Sequence, residues 1–473
     1  MERRVVIIMK KNRKFFKGLF ILYGILNIVF AFQIIKIGLL PAKYLIVIFM
    51  VLTLFLLIMI LRVYRAKGKN RISKFFLVIL SIALLFANFY LYKGGSFLSN
   101  VTGLSVKKDV VSLIVKKESS YENLEDLREL VFGIEDENEE IVDEALDYFE
   151  EKLNYNIQTS EYSSYERLAK ALCNQEVEVI VVNEAYRNFI KDEYPDFDDE
   201  TRVVAQFEKI VTIDKPNIKV NENVFTVLIS GIDVYGSITN NARSDVNILA
   251  VVDPTTKEII LVSIPRDYYL PIACKNNNKD KLTHTGIWGV DCTMETLSNL
   301  FEIDIDHYVR VNFSSLISVV DAIGGVNVYN DYPFSAGGYD FPVGDTYLDG
   351  AKALVFVRDR KNHPDGDSAR GRNQTYVLEA IINKMASPAL ITNFSSILSS
   401  LTGTFQTNMS DSDISSLVRL QLNDPSSWNI TNLQVRGTGG YDYSYALGGN
   451  YYMMYPDYNS VNEVIKEIQN IGK

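Results

Sequence analysis

The chain has 473 residues, 47% hydrophobic and 22% charged, and its net charge of −10 divides into +15 over residues 1–100 and −25 over the remainder. A basic, apolar front on an acidic body excludes a simple cytosolic globule, and it argues against a general nucleic-acid binder because most of the chain would repel phosphate backbones. Three cysteines are too few for a disulfide-built or Cys-ligated zinc scaffold, while the length gives room for two or three domains.

Three apolar stretches fill the first hundred residues, from about Gly18 to Leu40, Tyr44 to Leu61 and Phe75 to Tyr92. Each approaches the roughly 20 residues a helix needs to cross the hydrocarbon. A secretory signal peptide would have a shorter apolar region, a small-residue cleavage site and no further spans behind it. Flanking charge sets the expected orientation. Lys10, Lys11, Arg13, Lys14 and Lys17 precede the first span, and Arg62, Arg65, Lys67, Lys69, Arg71 and Lys74 separate the second from the third. The first connection offers mainly Lys43. Both basic segments are expected on the cytoplasmic side, which places everything after Lys93 outside as an acidic ectodomain.

From about Lys107 to Ile213, short apolar runs alternate with amphipathic stretches. Val110–Val115, Leu130–Ile134 and Val177–Val182 read as strands, and Glu139–Leu153, Tyr165–Leu172 and Glu184–Ile190 as helices. The region predicts a small α/β layer unit. Its acidic runs read as solvated faces, and no motif assigns it a ligand.

After Pro216 the strand-like run NVFTVLIS leads into Gly231, Ile232 and Asp233. Strands are expected at Val246–Val252, Glu258–Ile264 and Val326–Tyr329, with helices at Met294–Phe301, Phe313–Ile323 and Gln374–Met385. The pattern is that of a mixed sheet with helices on its faces. An amphipathic stretch, Ser460–Ile471, should pack back onto it.

Three clusters carry candidate chemistry. Asp233 closes one strand and Asp245 opens the next, so neighbouring strands bring two carboxylates toward one edge. Two carboxylates plus a phosphate oxygen suit Mg²⁺, and turn-forming aspartates are the alternative. Arg266 and Asp267 directly follow the apolar strand 259–264, where an arginine either forks a phosphate or makes a surface ion pair. Finally, Arg358, Arg360, Arg370 and Arg372 fall within fifteen residues and lead to Gln374. Such density makes an electropositive pocket for a multiply charged anion, unless Asp359, Asp365 and Asp367 neutralise it as a solvated loop. His284, His307 and His363 lack paired-ligand spacing and read as structural. Cys274 and Cys292 either pair or remain thiols, with Cys173 left over. Nucleophilic-serine, P-loop and dinucleotide motifs are absent.

The stretches SGID…ARSDVNILAVVDP, IILVSIPRDYYLPI, KDKLTHTGIWGVD, YVRVNFSSLISVVDAIGGVNV and LDGAKALVFVRDRKNHPDGDSARGRNQTYVLEAI occur in one order between about Phe225 and Met385. In that order and spacing they resemble the LytR-CpsA-Psr (LCP) family of cell-envelope phosphotransferases. The three-span anchor and the extra unit ahead of the motifs look most like its capsule-linked CpsA branch. The resemblance implies an α/β chain of three parts: transmembrane helices over residues 1–95, an accessory α/β unit over 105–215, and an LCP-type mixed β-sheet with flanking helices over 220–473.

It further implies transfer of a glycopolymer, with capsular polysaccharide expected, from an undecaprenyl-pyrophosphate carrier to peptidoglycan through a phosphodiester. Asp233 and Asp245 would hold Mg²⁺. Arg266, Arg358, Arg360 and Arg370, with Gln374, would grip the pyrophosphate, and Asp267 or Asp245 would take the acceptor's proton. Many relatives carry Arg immediately before that Gln, whereas Asn373 stands here and Arg372 lies one place earlier. The expected partners are the lipid-linked polysaccharide, the peptidoglycan acceptor, the membrane and the capsule-synthesis machinery, with no nucleic acid. Two rival readings share these residues. One is a non-enzymatic membrane sensor of lipid-linked polymer; the other is a hydrolase that releases the polymer by cleaving the pyrophosphate with water.

Overall fold

The computed structural model describes residues 2–65, 71–101, 106–136, 139–212, 220, 223–232, 238, 240–387, 403 and 405–472. The chain forms two compact units.

One unit contains helices α1 (Glu2–Ile37), α2 (Ala42–Arg65) and α3 (Arg71–Val101), together with the helix Asp411–Asn423. Lys17–Ile37, Ala42–Arg62 and Phe75–Tyr92 are long and apolar enough to cross a membrane. Their large side chains point outward, as at Ile28, Phe32 and Met50, while Tyr23, Leu77 and Leu84 form a narrow internal seam. An outward apolar surface of this kind is stable only in lipid. Across the seam, Asn88 Nδ2 donates to Leu26 O at 3.1 Å. The helix Asp411–Asn423 packs on the α1–α2 turn, where Arg419 Nε donates to Gly38 O at 2.8 Å and Lys43 Nζ to Asn423 O at 2.9 Å.

The other unit begins with a five-stranded sheet. Its elements are β1 (Val106–Lys116), β2 (Val131–Glu135), α4 (Glu140–Leu153), β3 (Gln158–Tyr162), α5 (Tyr165–Cys173), β4 (Val179–Asn183), α6 (Arg187–Glu193), α7 (Phe197–Glu200) and β5 (Thr201–Thr212), with strand order β3-β2-β4-β1-β5. Alternation along β1 sends Val111, Leu113 and Val115 to the face covered by Val142 and Phe149 of α4. Ile114 points to the opposite face, under Leu168 and Leu172 of α5 and Ile190 of α6. Strands β3 and β5 were not expected from sequence: β3 is mostly polar, and β5 interleaves its apolar residues with Arg202, Gln206, Glu208 and Lys209, so neither is a continuous apolar run.

The remaining chain builds β6 (Phe225–Ile232), β7 (Ser244–Asp253), β8 (Glu258–Ile264), β9 (Tyr269–Pro271), β10 (Lys279–Lys281), α8 (Val290–Phe301), β11 (His307–Val311), α9 (Phe313–Ala322), β12 (Val326–Asn330), β13 (Phe334–Ala336), β14 (Tyr339–Phe341), β15 (Gly344–Leu348), α10 (Gly350–Arg358), α11 (Asp367–Met385), β16 (Phe405–Thr407), β17 (Asn429–Gln434), β18 (Gly437–Ser444) and β19 (Gly449–Pro456). Six strands form a mixed sheet in the order β16-β11-β6-β7-β8-β17. On one face Leu228, Leu249, Val251, Ile260 and Val262 meet Leu297 and Phe301 of α8, and the C-terminal helix Tyr458–Asn470 adds Val461, Val464 and Ile468. On the other, α11 runs along β8 and β17. Helix α11 begins seven residues before the expected start at Gln374, because Asp367–Asn373 offers only Ala369 and Gly371 among polar residues, so no apolar stripe announces the turn. Cys274 and Cys292 are joined as a disulfide, and Cys173 is a free thiol.

Candidate active site

Strands β7 and β8 are antiparallel with Asn247 opposite Ile264. Two residues beyond that pair in each direction stand Asp245 and Arg266, so the register alone carries them to one end of the sheet. Arg266 Nη1 lies 3.1 Å from Asp245 Oδ1, and Thr283 Oγ1 donates to the same oxygen at 2.8 Å. The other carboxylate oxygen, Asp245 Oδ2, is buried with no hydrogen-bond partner.

Helix α11 supplies the facing wall. A Cβ on Gly371 would lie 2.4 Å from Ser263 Oγ, so only a glycine lets the helix backbone rest on the end of β8. That contact brings Arg370 and Gln374, one residue before it and three after, into a narrow cleft with Asp245, Arg266, Asp367 and Gln434. Arg370 Nη2 pairs with Asp367 Oδ1 at 2.7 Å, and Gln374 Nε2 donates to Val357 O at 3.3 Å. Asp267 sits next to Arg266, 3.5 Å from Lys281 Nζ and 3.8 Å from Arg266 Nε.

The electrostatics follow from burial and pairing. Burial pushes the Asp245 carboxyl up, but the guanidiniums of Arg266 and Arg243 and the Thr283 hydroxyl outweigh it and hold the group below the usual carboxylate range. Burial lowers the Arg266 pKa, yet Asp245, Asp267 and Asp367 raise it further, so the net shift is upward. Arg370 moves the other way, because burial adds to repulsion from Arg266 and Arg360 and together they outweigh Asp367. A cation held at such cost invites an anion.

Of the residues singled out from sequence, Asp245, Arg266, Arg370 and Gln374 line this cleft, with Asp267 beside it. Arg358 and Arg360 are exposed and do not line it; the Arg358 guanidinium stacks 4.1 Å from the centre of the Phe313 ring. Arg372 pairs with Asp365 outside the cleft, and Asp233 lies outside the described residues. For Mg²⁺, Asp245 fits as one ligand, since its unpartnered buried oxygen is the hard donor such an ion takes. Among the described residues no three His, Cys, Asp or Glu side chains gather closely enough to hold a metal by themselves.

Thr283, Lys281 and Asp280 were not singled out individually, although all three stand in the run KDKLTHTG. Asp280 is fully buried and accepts from Lys281 N and Ala446 N, each at 2.7 Å, and from Ser444 Oγ at 2.8 Å, with His284 Nδ1 at 2.9 Å. It ties the β18–β19 hairpin to the turn that presents Thr283.

Fold and site together define a chain with three membrane-length helices and an α/β body whose cleft places Arg266 and Arg370 beside Asp245. A model of the LytR_cpsA_psr family matches residues 196–470, more than half of the chain, and the chain belongs to that family. It is similar to the polyisoprenyl-teichoic acid–peptidoglycan teichoic acid transferase TagU of Enterococcus faecalis, at 36% identity over 222 residues, 46% of this chain and 72% of that protein. TagU of Bacillus subtilis is 32% identical over 266 residues, covering 55% and 80%. Among solved structures, B. subtilis TagV matches with a TM-score of 0.45 and 30% identity, over 52% of this chain and 96% of that one.

Proposed function

We propose that this protein is a membrane-anchored phosphotransferase that moves a glycopolymer, capsular polysaccharide in particular, from an undecaprenyl-pyrophosphate carrier to a peptidoglycan hydroxyl. The observation that carries the reading is the cleft in which Arg266 and Arg370 flank Asp245, whose second oxygen is buried and unpaired. Family membership gives the reaction class, and the curated relatives act on teichoic acid. The capsular assignment rests on the three-span anchor and the accessory unit.

Phosphoryl transfer demands little covalent work from the protein beyond charge neutralisation and in-line placement. Arg266 and Arg370 would bind the pyrophosphate and stabilise charge as it gathers on the leaving phosphate, with Gln374 orienting it and Arg360 adding long-range attraction from the rim. The acceptor oxygen bonds to the phosphorus next to the polymer, the bridging bond of the pyrophosphate breaks, and polyprenyl phosphate leaves. The acceptor's proton passes to a carboxylate, for which Asp267 is the better placed, because Asp245 is held low by Arg266. When bound, Mg²⁺ supplies Lewis-acid neutralisation of the phosphates, and Asp245, with Asp233, would hold it.

The orientation expected from charge places the Gly38–Lys43 turn and the α/β body outside the cell. The helix Asp411–Asn423, which follows β16 in sequence, meets that turn, in keeping with this topology.

The test is incubation of the full-length chain in nanodiscs with a lipid-pyrophosphate-linked oligosaccharide and peptidoglycan fragments, with and without Mg²⁺. Capsular and teichoic donors are offered in parallel, and products are read by mass spectrometry. A Mg²⁺-dependent sugar-phosphate adduct on the peptidoglycan is expected, with the capsular donor preferred. Free phosphorylated sugar without adduct would identify a hydrolase, and lipid binding without turnover would identify a sensor.

A further inference from the structure

A second cavity, of about 200 Å³, shares Asp245 and Arg266 with the first but is not lined by Arg370 or Gln374. Asp245, Arg266 and Asp267 form its floor, and much of its wall comes from the accessory sheet unit: Tyr165, Glu166, Tyr186, Phe189, Asp192 and Glu193. Tyr451 of β19 also lines it.

The wall is firmly seated on the site. Arg243, two residues before Asp245, donates to Asp192 Oδ2 at 2.5 Å, and its guanidinium lies 5.0 Å from the centre of the Phe189 ring. Phe189 packs edge-on to His284, with centroids 5.1 Å apart, and Trp288 Nε1 donates to Tyr186 OH at 3.2 Å. Farther along, Lys107 reaches Asp291 at 3.1 Å and Asn241 reaches Asp109 at 2.5 Å.

The chemistry of this cavity differs from that of the arginine cleft. Five carboxylates line it against three Lys and Arg side chains, together with three tyrosines, Ser164 and Thr283. A surplus of carboxylates disfavours a second phosphate. Carboxylate and hydroxyl acceptors beside aromatic faces suit a neutral ring bearing several hydroxyls. The volume is small beside the roughly 300–1,000 Å³ of pockets for drug-sized ligands, enough for a single saccharide ring. Burial, with Glu166 and Glu193 opposite, pushes the Tyr451 phenol up, so that hydroxyl keeps its proton as a donor. Asp245 Oδ2, buried and without a partner, belongs to a residue of this floor.

We infer that this cavity is the acceptor subsite, and that the accessory unit is a specificity element: its Glu166 and Glu193, with Tyr451, hold the acceptor sugar so that its hydroxyl meets Asp267 and the phosphorus held beyond Arg266. This inference rests on the transferase reading. It gives residues 106–212 a direct part in substrate choice.

The experiment uses the full-length chain in nanodiscs, with a lipid-pyrophosphate-linked oligosaccharide as donor and a soluble peptidoglycan disaccharide–peptide as acceptor. The variants are Glu166→Gln/Glu193→Gln and Tyr451→Phe, with the exposed Glu151→Gln on α4 as control. Weakening two charge-assisted hydrogen bonds to the acceptor should raise its KM roughly ten- to a hundredfold, while the KM for donor moves less than twofold and the control matches wild type. Equal changes in both KM values, or none, would overturn the inference and leave the transferase reading intact. If the wild type itself transfers nothing, that reading falls, and saturation-transfer NMR with the same disaccharide–peptide decides the subsite alone. Binding abolished in the double variant sustains a saccharide site there, and binding absent from wild type or equal in both overturns it.

Discussion

Replacing Arg266 by Ala tests the site at its most constrained contact. The Arg266 and Asp245 side chains are 22% and 10% exposed and 3.1 Å apart. At an effective dielectric of about 20 their gross attraction is about 5 kcal/mol, most of which offsets the cost of drying both charges. Removing the arginine leaves a buried carboxylate with only Thr283 and Arg243 to hold it, a loss of about 3–5 kcal/mol for a buried pair, toward the lower figure here because the guanidinium is partly wet. Without its hydrogen bond to phosphate, the transition state loses a further 1.5–3 kcal/mol or so, or roughly ten- to a hundredfold in turnover.

The stability loss should also depend on pH. In wild type Asp245 titrates below the ordinary carboxylate range, so its contribution is complete above about pH 4 and is lost as pH falls through its folded value. Without Arg266 the burial penalty gains ground, the pKa rises, and the deficit of the variant narrows as acid neutralises the group. The assay is chemical unfolding of Arg266→Ala, Asp245→Asn and the double variant at pH 7 and pH 5, alongside acceptor-dependent release of polyprenyl phosphate. A coupling of about 1–3 kcal/mol at pH 7 is expected for groups in contact. Additive losses would refute the pair, and wild-type turnover in Arg266→Ala would refute its grip on phosphate.

Other consequences are simpler to check. Gly371→Ala places a Cβ 2.4 Å from Ser263 Oγ and 2.8 Å from Gln434 Nε2; it should cost about 1–3 kcal/mol by overpacking and lower turnover by lifting Arg370 from the cleft. Adding Ser263→Ala should restore much of both, measured by unfolding midpoint and initial rate. Asp280→Asn removes acceptor capacity from a carboxylate with four partners. It should cost about 2 kcal/mol or more in chemical unfolding at pH 7, and the deficit should narrow only as pH falls below the ordinary carboxylate range, because the depressed Asp280 pKa keeps the wild-type charge until then. Reducing Cys274–Cys292, which spans 18 residues, should lower stability by about 3 kcal/mol from loop entropy, read as a lower unfolding midpoint in reductant.

The spans and the central strands β6, β7 and β8 were legible because each rests on a run of apolar residues that neither periodicity nor length leaves ambiguous, whereas β11, β16 and β17 were not expected and the expected strand at Val326–Tyr329 pairs with β15 in a separate sheet. Asp245 and Arg266 were legible for a related reason: a charged residue at the mouth of such a run has a position set by strand register. The arginines after β15 were harder. Their density suggested one pocket, but α10 ends at Arg358 and α11 begins at Asp367, so Arg358 closes one helix and Arg360 falls on the connection while Arg370 is carried inward by Gly371. Nothing in the spacing alone separates these cases, because α11 has no apolar stripe over its first turns.

The accessory unit marks the limit of motif reading for a physical reason. A phosphate needs fixed positive charge, which concentrates arginine and leaves a signature. A neutral sugar needs only carboxylates, hydroxyls and aromatic faces at the right places, and those are the ordinary residues of a solvated helix. Glu166 and Glu193 stand in runs that read as surface, and in isolation they would be. What brings them to the cavity is tertiary: Phe189 beside Arg243 and Tyr186 against Trp288 seat α5 and α6 against the residues around Asp267. If that seam were only a structural prop, substitutions at Glu166 and Glu193 would move stability and both KM values together. A shift confined to the acceptor is what a wall that touches the substrate requires.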